Sequence, residues 1–245
     1  MLNLAAEKRL IVALDVSTRE EAEQLVEQLD GIVSFYKIGL ESLAVWGVDF
    51  LEILTEKGNV FVDLKLGDIG ATAKRTVAQW SGRRGIKFLT INNQTAAAAI
   101  TAAREGRGDA DSPELLYVSY LSSQDRSDFG TMYGRSEDDF ESHLVRTCRT
   151  ALDAGCDGLI ASGKEIAVFR REFPEATIVS PGIRPQGSSS DDHKRSTTPA
   201  EAIGLGSDFL VVGRPIRDDP DPPGMARRII DEIGNALTVR SSTPV

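Results

Sequence analysis

The chain alternates short apolar runs with longer segments in which apolar residues recur at helical spacing. The runs are rich in Val, Ile and Leu and are bounded by polar residues or glycine, which is typical of buried parallel strands. Each run is followed by a segment long enough for a helix, and this order predicts repeated βα units around a parallel sheet. The eight predicted strands are 10–14, 32–38, 60–66, 86–91, 115–120, 158–161, 177–180 and 209–212.

The segments between these runs predict one helix for each strand. Ser17 is the predicted cap of the first helix, with Glu20 and Glu21 in its first turn. Three polar segments are predicted as loops, namely 105–113, 122–136 and 181–195. The predicted helices are 18–29, 43–57, 71–80, 96–104, 138–154, 164–172, 200–205 and 224–237.

Eight βα units in 245 residues predict an α/β fold with a single (β/α)8 TIM barrel. The alternative is an open doubly wound sheet, which typically has fewer strands and a glycine-rich turn after the first of them. Here the first strand ends in Asp15, Val16 and Ser17, and no GxGxxG motif follows it. The barrel domain is expected to cover residues 1–238, and the polar end, 239–245, is expected to be a frayed tail.

The overall charge of the chain is acidic. It has 28 Lys and Arg against 37 Asp and Glu, a formal net charge of −9. Such a charge repels nucleic acid and anionic membranes at long range, so neither is expected as a partner. No apolar run reaches the roughly 18 residues of a membrane span, and Glu7, Lys8 and Arg9 interrupt any signal-like segment, so a cytoplasmic location is expected.

Cysteine and histidine are too few to suggest a metal site. Cys148 and Cys156 lack further ligands at metal-binding spacing and are expected to be reduced, partly buried thiols. The chain has two histidines, His143 and His193, which excludes a histidine-rich metal site. No metal site is therefore expected.

Charged residues at the ends of otherwise apolar strands are the main candidates for chemistry. Asp15 ends the first strand and Lys37 the second, while Asp63 and Lys65 lie two apart on one face of the third, with Asp68 in the next loop. These strand ends meet at the mouth of a (β/α)8 barrel, where the active site lies. A single such charge is most often part of a structural ion pair, but four at three successive strand ends predict a charge network.

Such a network indicates a class of reaction. A lysine among carboxylates stays protonated, which suits a general acid better than a Schiff-base nucleophile. It can neutralise and then protonate a carbanion that develops beside it. A carboxylate fixed in the same place repels a substrate carboxylate and favours its departure as neutral CO2. The pattern therefore indicates decarboxylation or aldol-type chemistry without a cofactor.

The ends of strands seven and eight predict a phosphate site. Residues 212–215 (VGRP) close strand eight, and 181–185 (PGIRP) follow strand seven. Backbone amides around Gly213 and the guanidinium of Arg214 form a candidate phosphate cradle, where barrels of this class often bind phosphate. Ser122 and Ser123, just past strand five, are either turn residues or hydrogen-bond partners of a heterocyclic amide.

Six segments carry a further pattern in the same order along nearly the whole chain. They are 10–16 (LIVALDV), 37–41 (KIGLE), 63–72 (DLKLGDIGAT), 180–185 (SPGIRP), 191–199 (DDHKRSTTP) and 208–216 (DFLVVGRPI). Together they resemble the orotidine 5′-phosphate decarboxylase family. The D-x-K-x-x-D core is shared with ketogulonate-phosphate decarboxylases and hexulose-phosphate synthases, whereas PGIRP, DDxKR and VGRPI are more specific to the orotidylate enzymes.

The resemblance implies cofactor-free decarboxylation of orotidine 5′-monophosphate to uridine 5′-monophosphate and CO2, the last step of de novo pyrimidine (UMP) biosynthesis. It implies Lys65 as the acid that protonates the C6 carbanion, Asp63 as the carboxylate pressed against the departing group, and Lys37 as the bridge to the ribose. The implied binding residues are Asp15 for the ribose hydroxyls, Ser123 for the pyrimidine amide, Pro181 over the base, and Gly213 and Arg214 for the phosphate. It also implies a homodimer in which Asp68, Ile69 and Thr72 complete the partner's site.

The chain departs from the family pattern at some positions. Residues 67–70 (GDIG) and 92–93 (NN) replace the common HDIP and His-Ala, although Asp68, Ile69 and Thr72 are retained. His193 stands where the family has a phosphate-loop glutamine, and it is either a phosphate ligand or an exposed loop residue.

Two other functions are alternatives to this one. A phosphosugar decarboxylase or aldolase of the same superfamily usually has a magnesium-binding carboxylate at the end of strand two, where this chain has Lys37. A non-catalytic nucleotide sensor would have no use for four mutually dependent charges, which are costly to hold together. The chain has the complete set, Lys37, Asp63, Lys65 and Asp68.

Overall fold

The computed structural model describes residues 1–121, 123–185 and 196–242. Eight parallel strands in these ranges pair in chain order, and the last pairs with the first to close a barrel. This confirms the predicted (β/α)8 class. The strands are β1 (Leu10–Ala13), β2 (Phe35–Gly39), β3 (Asn59–Leu66), β4 (Ile86–Ile91), β5 (Glu114–Val118), β6 (Gly158–Ile160), β7 (Thr177–Ser180) and β8 (Phe209–Val212).

The helices surround the barrel and are more numerous than predicted. Within the described residues they are α1 (Arg19–Gln28), α2 (Leu40–Trp46), α3 (Asp49–Lys57), α4 (Gly70–Trp80), α5 (Ala97–Arg107), α6 (Arg126–Tyr133), α7 (Phe140–Asp153), α8 (Glu165–Glu172), α9 (Pro199–Leu205), α10 (Arg214–Arg217) and α11 (Pro222–Ser242). Two short 3₁₀ turns, Ala6–Lys8 and Glu137–Asp139, complete the set. In this part of the chain, no helix is both long enough and apolar enough to span a bilayer.

Several predicted boundaries were wrong. The cap of α1 is Thr18, not Ser17: its hydroxyl accepts the Glu21 amide, and the Glu21 side chain accepts the Thr18 amide in return. The polar segment 122–136 contains α6, whose cap is Asp125, and α10 was not predicted. The last helix extends to Ser242 instead of ending at 237, so residues 239–242 of the expected tail are helical.

Successive side chains along each strand point to opposite faces of the sheet, and this divides the core into two layers. In β1, Ile11 and Ala13 face the barrel interior, whereas Leu10 and Val12 pack against the surrounding helices. Four aromatic rings fill the interior with centroid separations of 5.1 to 5.8 Å, namely Phe35, Phe61, Phe88 and Phe209. Because these rings occupy the centre of the barrel, it is a packed core and not a pore.

Ion pairs close the other end of the barrel. Asp208, which is 1% exposed, accepts from Arg170 at 2.5 Å and from the Ile178 amide at 2.9 Å. The buried Arg9 guanidinium donates to the carbonyls of Leu2, Leu4 and Asp208. These charges pair within the protein at the amino ends of the strands, as expected of groups that stabilise the fold.

Candidate active site

A cavity of about 400 Å³ opens at the carboxyl ends of the strands. Its apolar lining comprises Ala13, Phe61, Val118, Tyr120, Leu121, Ile160, Pro181 and Val211. Its charged lining comprises Asp15, Lys37, Asp63, Lys65, Arg184, Arg214 and Arg217. The charged groups thus lie at the end of the packed core. The side chains of Lys37 and Asp63 are 12% and 13% exposed, so their interaction is stronger than it would be in water.

Four of the predicted residues form one charge network along β1, β2 and β3. Lys37 Nζ lies 3.1 Å from Asp15 Oδ1 and 3.5 Å from Asp63 Oδ2. Lys65 Nζ donates to the same Asp63 oxygen at 3.0 Å. The network therefore alternates in sign, and each charge is held by an opposite neighbour.

Burial and neighbouring charges shift the pKa values of Lys37 and Asp63 in opposite directions. Burial by itself would lower the pKa of Lys37, but attraction to Asp63 and Asp15 outweighs it and raises the pKa. Burial would raise the pKa of Asp63, but Lys37 and Lys65, with the Thr90 hydrogen bond, outweigh it and lower the pKa. Lys37 and Asp63 are therefore both ionised at neutral pH.

Lys65 occupies an unusual backbone position. Its φ is +47°, and the β3–β4 register shifts between Val62 and Leu66. A β-bulge of this kind re-aims the side chains of a strand. The Lys65 amide donates to Thr90 Oγ1 at 2.8 Å, and the same hydroxyl donates to Asp63 Oδ1 at 2.8 Å. One buried hydroxyl on β4 thus contacts both the strained backbone at Lys65 and the carboxylate of Asp63.

The wall of the cavity that follows β7 and β8 is cationic. Gly213 follows β8 and is the N-cap of α10, so the backbone turns there and Arg214 begins the short helix at the rim. Pro181 and Arg184, on the segment after β7, lie on the same cavity. This wall has the donors expected for an anionic group such as phosphate.

Comparison with known proteins agrees with this geometry. Residues 8–229 match the family model described as "Orotidine 5'-phosphate decarboxylase / HUMPS family". The chain belongs to this family. It is 42% identical over 234 residues to the orotidine 5'-phosphate decarboxylase of Nitrobacter winogradskyi, covering 95% of each chain, and 42% identical to that of Xanthomonas euvesicatoria pv. vesicatoria, covering 96% of each.

Solved structures show the same barrel. The orotidine 5'-phosphate decarboxylase of Lactobacillus acidophilus superposes with a TM-score of 0.76 at 28% identity, covering 92% of this chain and 99% of that one. The Pyrococcus horikoshii OT3 protein of the same name, at 23% identity and a TM-score of 0.71, supports the fold alone. The orotidine 5'-phosphate decarboxylase / HUMPS family assignment thus rests on sequence along nearly the whole chain.

Other residues expected from the family pattern lie away from the cavity of their own chain. Asp68 and Ile69 are exposed and line a separate groove with Gly67, Asn92 and Thr95, which Lys65 also borders. Asp68 Oδ1 accepts the Ile69 amide at 2.7 Å. Thr72 is half-buried in the first turn of α4. Ser123 is exposed and is not among the described residues that line the cavity, whereas Ser122 and His193 lie outside the described residues.

The structure also brings in residues that the sequence patterns did not single out. Thr90 reads as an ordinary strand residue, and its hydrogen bonds reach β3 from β4. Arg184 and Arg217 lie in polar segments typical of solvated loops, yet both line the cavity. The PGIRP motif is a signal for Arg184. No pattern marks Thr90 or Arg217, because the partners of Thr90 and the Asp15 contact of Arg217 are distant in sequence.

Proposed function

We propose that the protein removes the carboxylate of orotidine 5′-monophosphate to give uridine 5′-monophosphate and CO2, using no metal or cofactor. The observation that carries the proposal is the Lys37–Asp63–Lys65 network, which lines the same cavity as the Gly213–Arg214 turn. The family and the names of its relatives support the choice of substrate. Such a nucleotide is ionised and crosses an apolar bilayer poorly, which supports a cytoplasmic location.

The charge of the cavity suits this substrate. Five cationic side chains line it against two carboxylates, an excess of three positive charges, although Arg217 is also paired with Asp218 outside the cavity. The substrate carries a phosphate of about −1.5 to −2 at pH 7 together with one carboxylate. An anionic nucleotide is therefore attracted locally to a protein whose net charge is −9.

The chemical step takes place between Asp63 and Lys65. The bond between C6 and the carboxylate breaks, the electron pair stays on C6, and CO2 leaves. Lys65 Nζ then gives a proton to C6 and regains one from solvent. Asp63, ionised because its pKa is lowered, repels the substrate carboxylate and favours its loss as a neutral molecule.

The other residues bind and orient the nucleotide. In this proposal, Asp15 accepts from the ribose hydroxyls, and Lys37 bridges the ribose and the charge network. The Gly213 amide and the Arg214 guanidinium hold the phosphate, and Pro181 covers the base. Ser123, which is exposed and does not line the cavity, is kept as the partner of the pyrimidine amide by sequence position alone. His193 is kept as a phosphate ligand by sequence position alone.

We also propose that the site is shared between two copies of the chain. Asp68, Ile69 and Thr72 then complete the partner's cavity. Two observations support this: Asp68 is exposed outside its own cavity, and the apolar side chain of Ile69 is 72% exposed beside it. A second copy would bury that apolar surface.

The test is a spectrophotometric assay of orotidine 5′-monophosphate loss, with no added metal and again with a chelator. We expect the same turnover in both conditions. No turnover would refute the proposal, and turnover that the chelator abolishes would favour a metal-dependent reaction instead.

A pair of lysine variants makes this assay specific to the site. Lys65→Ala should lose nearly all activity while remaining folded. Lys57→Ala is the matched control, because Lys57 ends α3 with an exposed side chain paired to Asp30 at 3.1 Å. It should keep full activity. Retained activity in Lys65→Ala would refute the role of Lys65 as the acid.

A further inference from the structure

Arg217 links the last βα unit to the first, at the place where β8 pairs with β1 and closes the barrel. It is the last residue of α10, and its amide donates to the Gly213 carbonyl at 3.0 Å. Its side chain crosses to the first βα unit, where Nη1 donates to the Asp15 carbonyl across 202 positions of sequence. The last paired residues of β1 and β8 are Val12 and Val212, so this contact connects the two chain segments just beyond the paired strands.

The guanidinium is held in a fixed orientation by a second pair of contacts. Nε and Nη2 donate to the two carboxylate oxygens of Asp218 at 2.6 and 3.0 Å. The third nitrogen is thereby aimed at Asp15. An arginine fork makes all three contacts at once, whereas a lysine ammonium has no planar fork to do so.

Arg217 therefore connects two parts of the site that otherwise lie on different strands. On one side are the Gly213 and Arg214 turn and the start of α10. On the other is Asp15, whose carboxylate accepts from Lys37, which in turn lies 3.5 Å from Asp63. The Arg217 side chain is 23% exposed and lines the cavity itself, whereas its partner Asp218 is 54% exposed.

We propose that Arg217 is a positioning residue, which fixes Asp15 and the charge network relative to the Gly213–Arg214 turn. Its role is to set the distance between the two ends of a bound nucleotide. This inference rests on the proposed function for its kinetic test, and it also predicts a property of the unliganded protein.

The kinetic test compares Arg217→Lys and Arg217→Gln with the wild type. We expect both variants to lower kcat about tenfold with a smaller change in KM, since small misplacements of reacting groups cost up to ~10²-fold. Wild-type kcat in Arg217→Lys would overturn the proposal, because charge alone would then suffice. A rise in KM with unchanged kcat would also overturn it, since Arg217 would then be a direct ligand of the substrate.

Arg171→Lys is the matched control. Arg171 also pairs with the next residue in sequence, Glu172 at 3.2 Å, but it is 66% exposed on α8 and does not line the cavity. Its replacement should leave kcat and KM unchanged.

Hydrogen–deuterium exchange of the unliganded proteins tests the inference separately from the proposed function. We expect faster exchange in segments 14–18 and 213–218 of Arg217→Lys, with the rest of the chain as in the wild type and in Arg171→Lys. Unchanged exchange in both segments would overturn the inference. If the wild type fails to convert orotidine 5′-monophosphate, the proposed function fails, and the exchange result still decides the role of Arg217.

Discussion

At the scale of single residues, Thr90 shows how one hydroxyl determines the geometry of two charged groups. It accepts the amide of Lys65, whose φ is positive, and it donates to Asp63. In Thr90→Val the shape is kept but a partly buried amide loses its acceptor, so the free energy of unfolding should fall by about 1–3 kcal/mol. Because Asp63 and Lys65 are then less well placed, kcat should fall by at least about tenfold. Urea unfolding and steady-state kinetics measure the two effects.

Thr90→Ser is the control for this prediction. It keeps the hydroxyl and loses one methyl group, so kcat should stay near that of the wild type. Equal kcat in Thr90→Val and Thr90→Ser would show that the hydroxyl does not position the reacting groups.

At the scale of elements, a single glycine separates two helices that were predicted as one, 43–57. Gly47 ends α2 with φ of 69° and ψ of −175°, a region that side chains avoid, and α3 begins two residues later. A Cβ at Gly47 would meet nothing within 4 Å among the described residues, so Gly47→Ala adds backbone strain alone. We expect a loss of about 1–3 kcal/mol in the free energy of unfolding, measured by urea denaturation.

Gly204→Ala is the matched control within α9. A Cβ there also meets nothing within 4 Å in the described part of the chain, but the backbone is not in the left-handed region. It should leave stability unchanged or raise it by up to about 1 kcal/mol, because alanine favours helix over glycine. Similar losses in both variants would contradict the assignment of strain to Gly47.

At the scale of the whole molecule, the proposed shared site predicts complementation between inactive subunits. Asp68→Asn and Lys65→Ala should each be inactive alone. A hybrid dimer of the two has one site with both mutations and one with neither, so mixing should restore activity in that one site. The activity of mixed and unmixed subunits is compared after subunit exchange has been verified by mass. No recovery in a proven hybrid would contradict the shared site.

The fold was largely predictable because its signals are local. Alternation of strand-length and helix-length segments, with apolar residues at the matching period, is sufficient to indicate βα units, and eight of them predict a barrel. The errors fall at boundaries decided by hydrogen bonds, such as the capping box of Thr18 with Glu21, and at the positive φ of Gly47.

The candidate site was predictable only in part. Asp15, Lys37, Asp63 and Lys65 stand at strand ends in the sequence, and parallel strands in chain order bring such ends to one mouth. Thr90 and Arg217 are not charged residues at the end of a predicted strand, so the sequence pattern does not identify them. Their importance depends on partners 25 and 202 positions away.

The barrel class, the order of its strands and the positions of the charges at the mouth could be predicted from the chain, because periodicity and strand ends are properties of neighbouring residues. Which charges touch, and how Thr90 and Arg217 contact Asp63 and the Asp15 carbonyl, could be learned from the three-dimensional structure and not from the chain. These depend on barrel closure and on a bulge at Lys65. Such features fix distances of about 3 Å between atoms that the chain order leaves far apart.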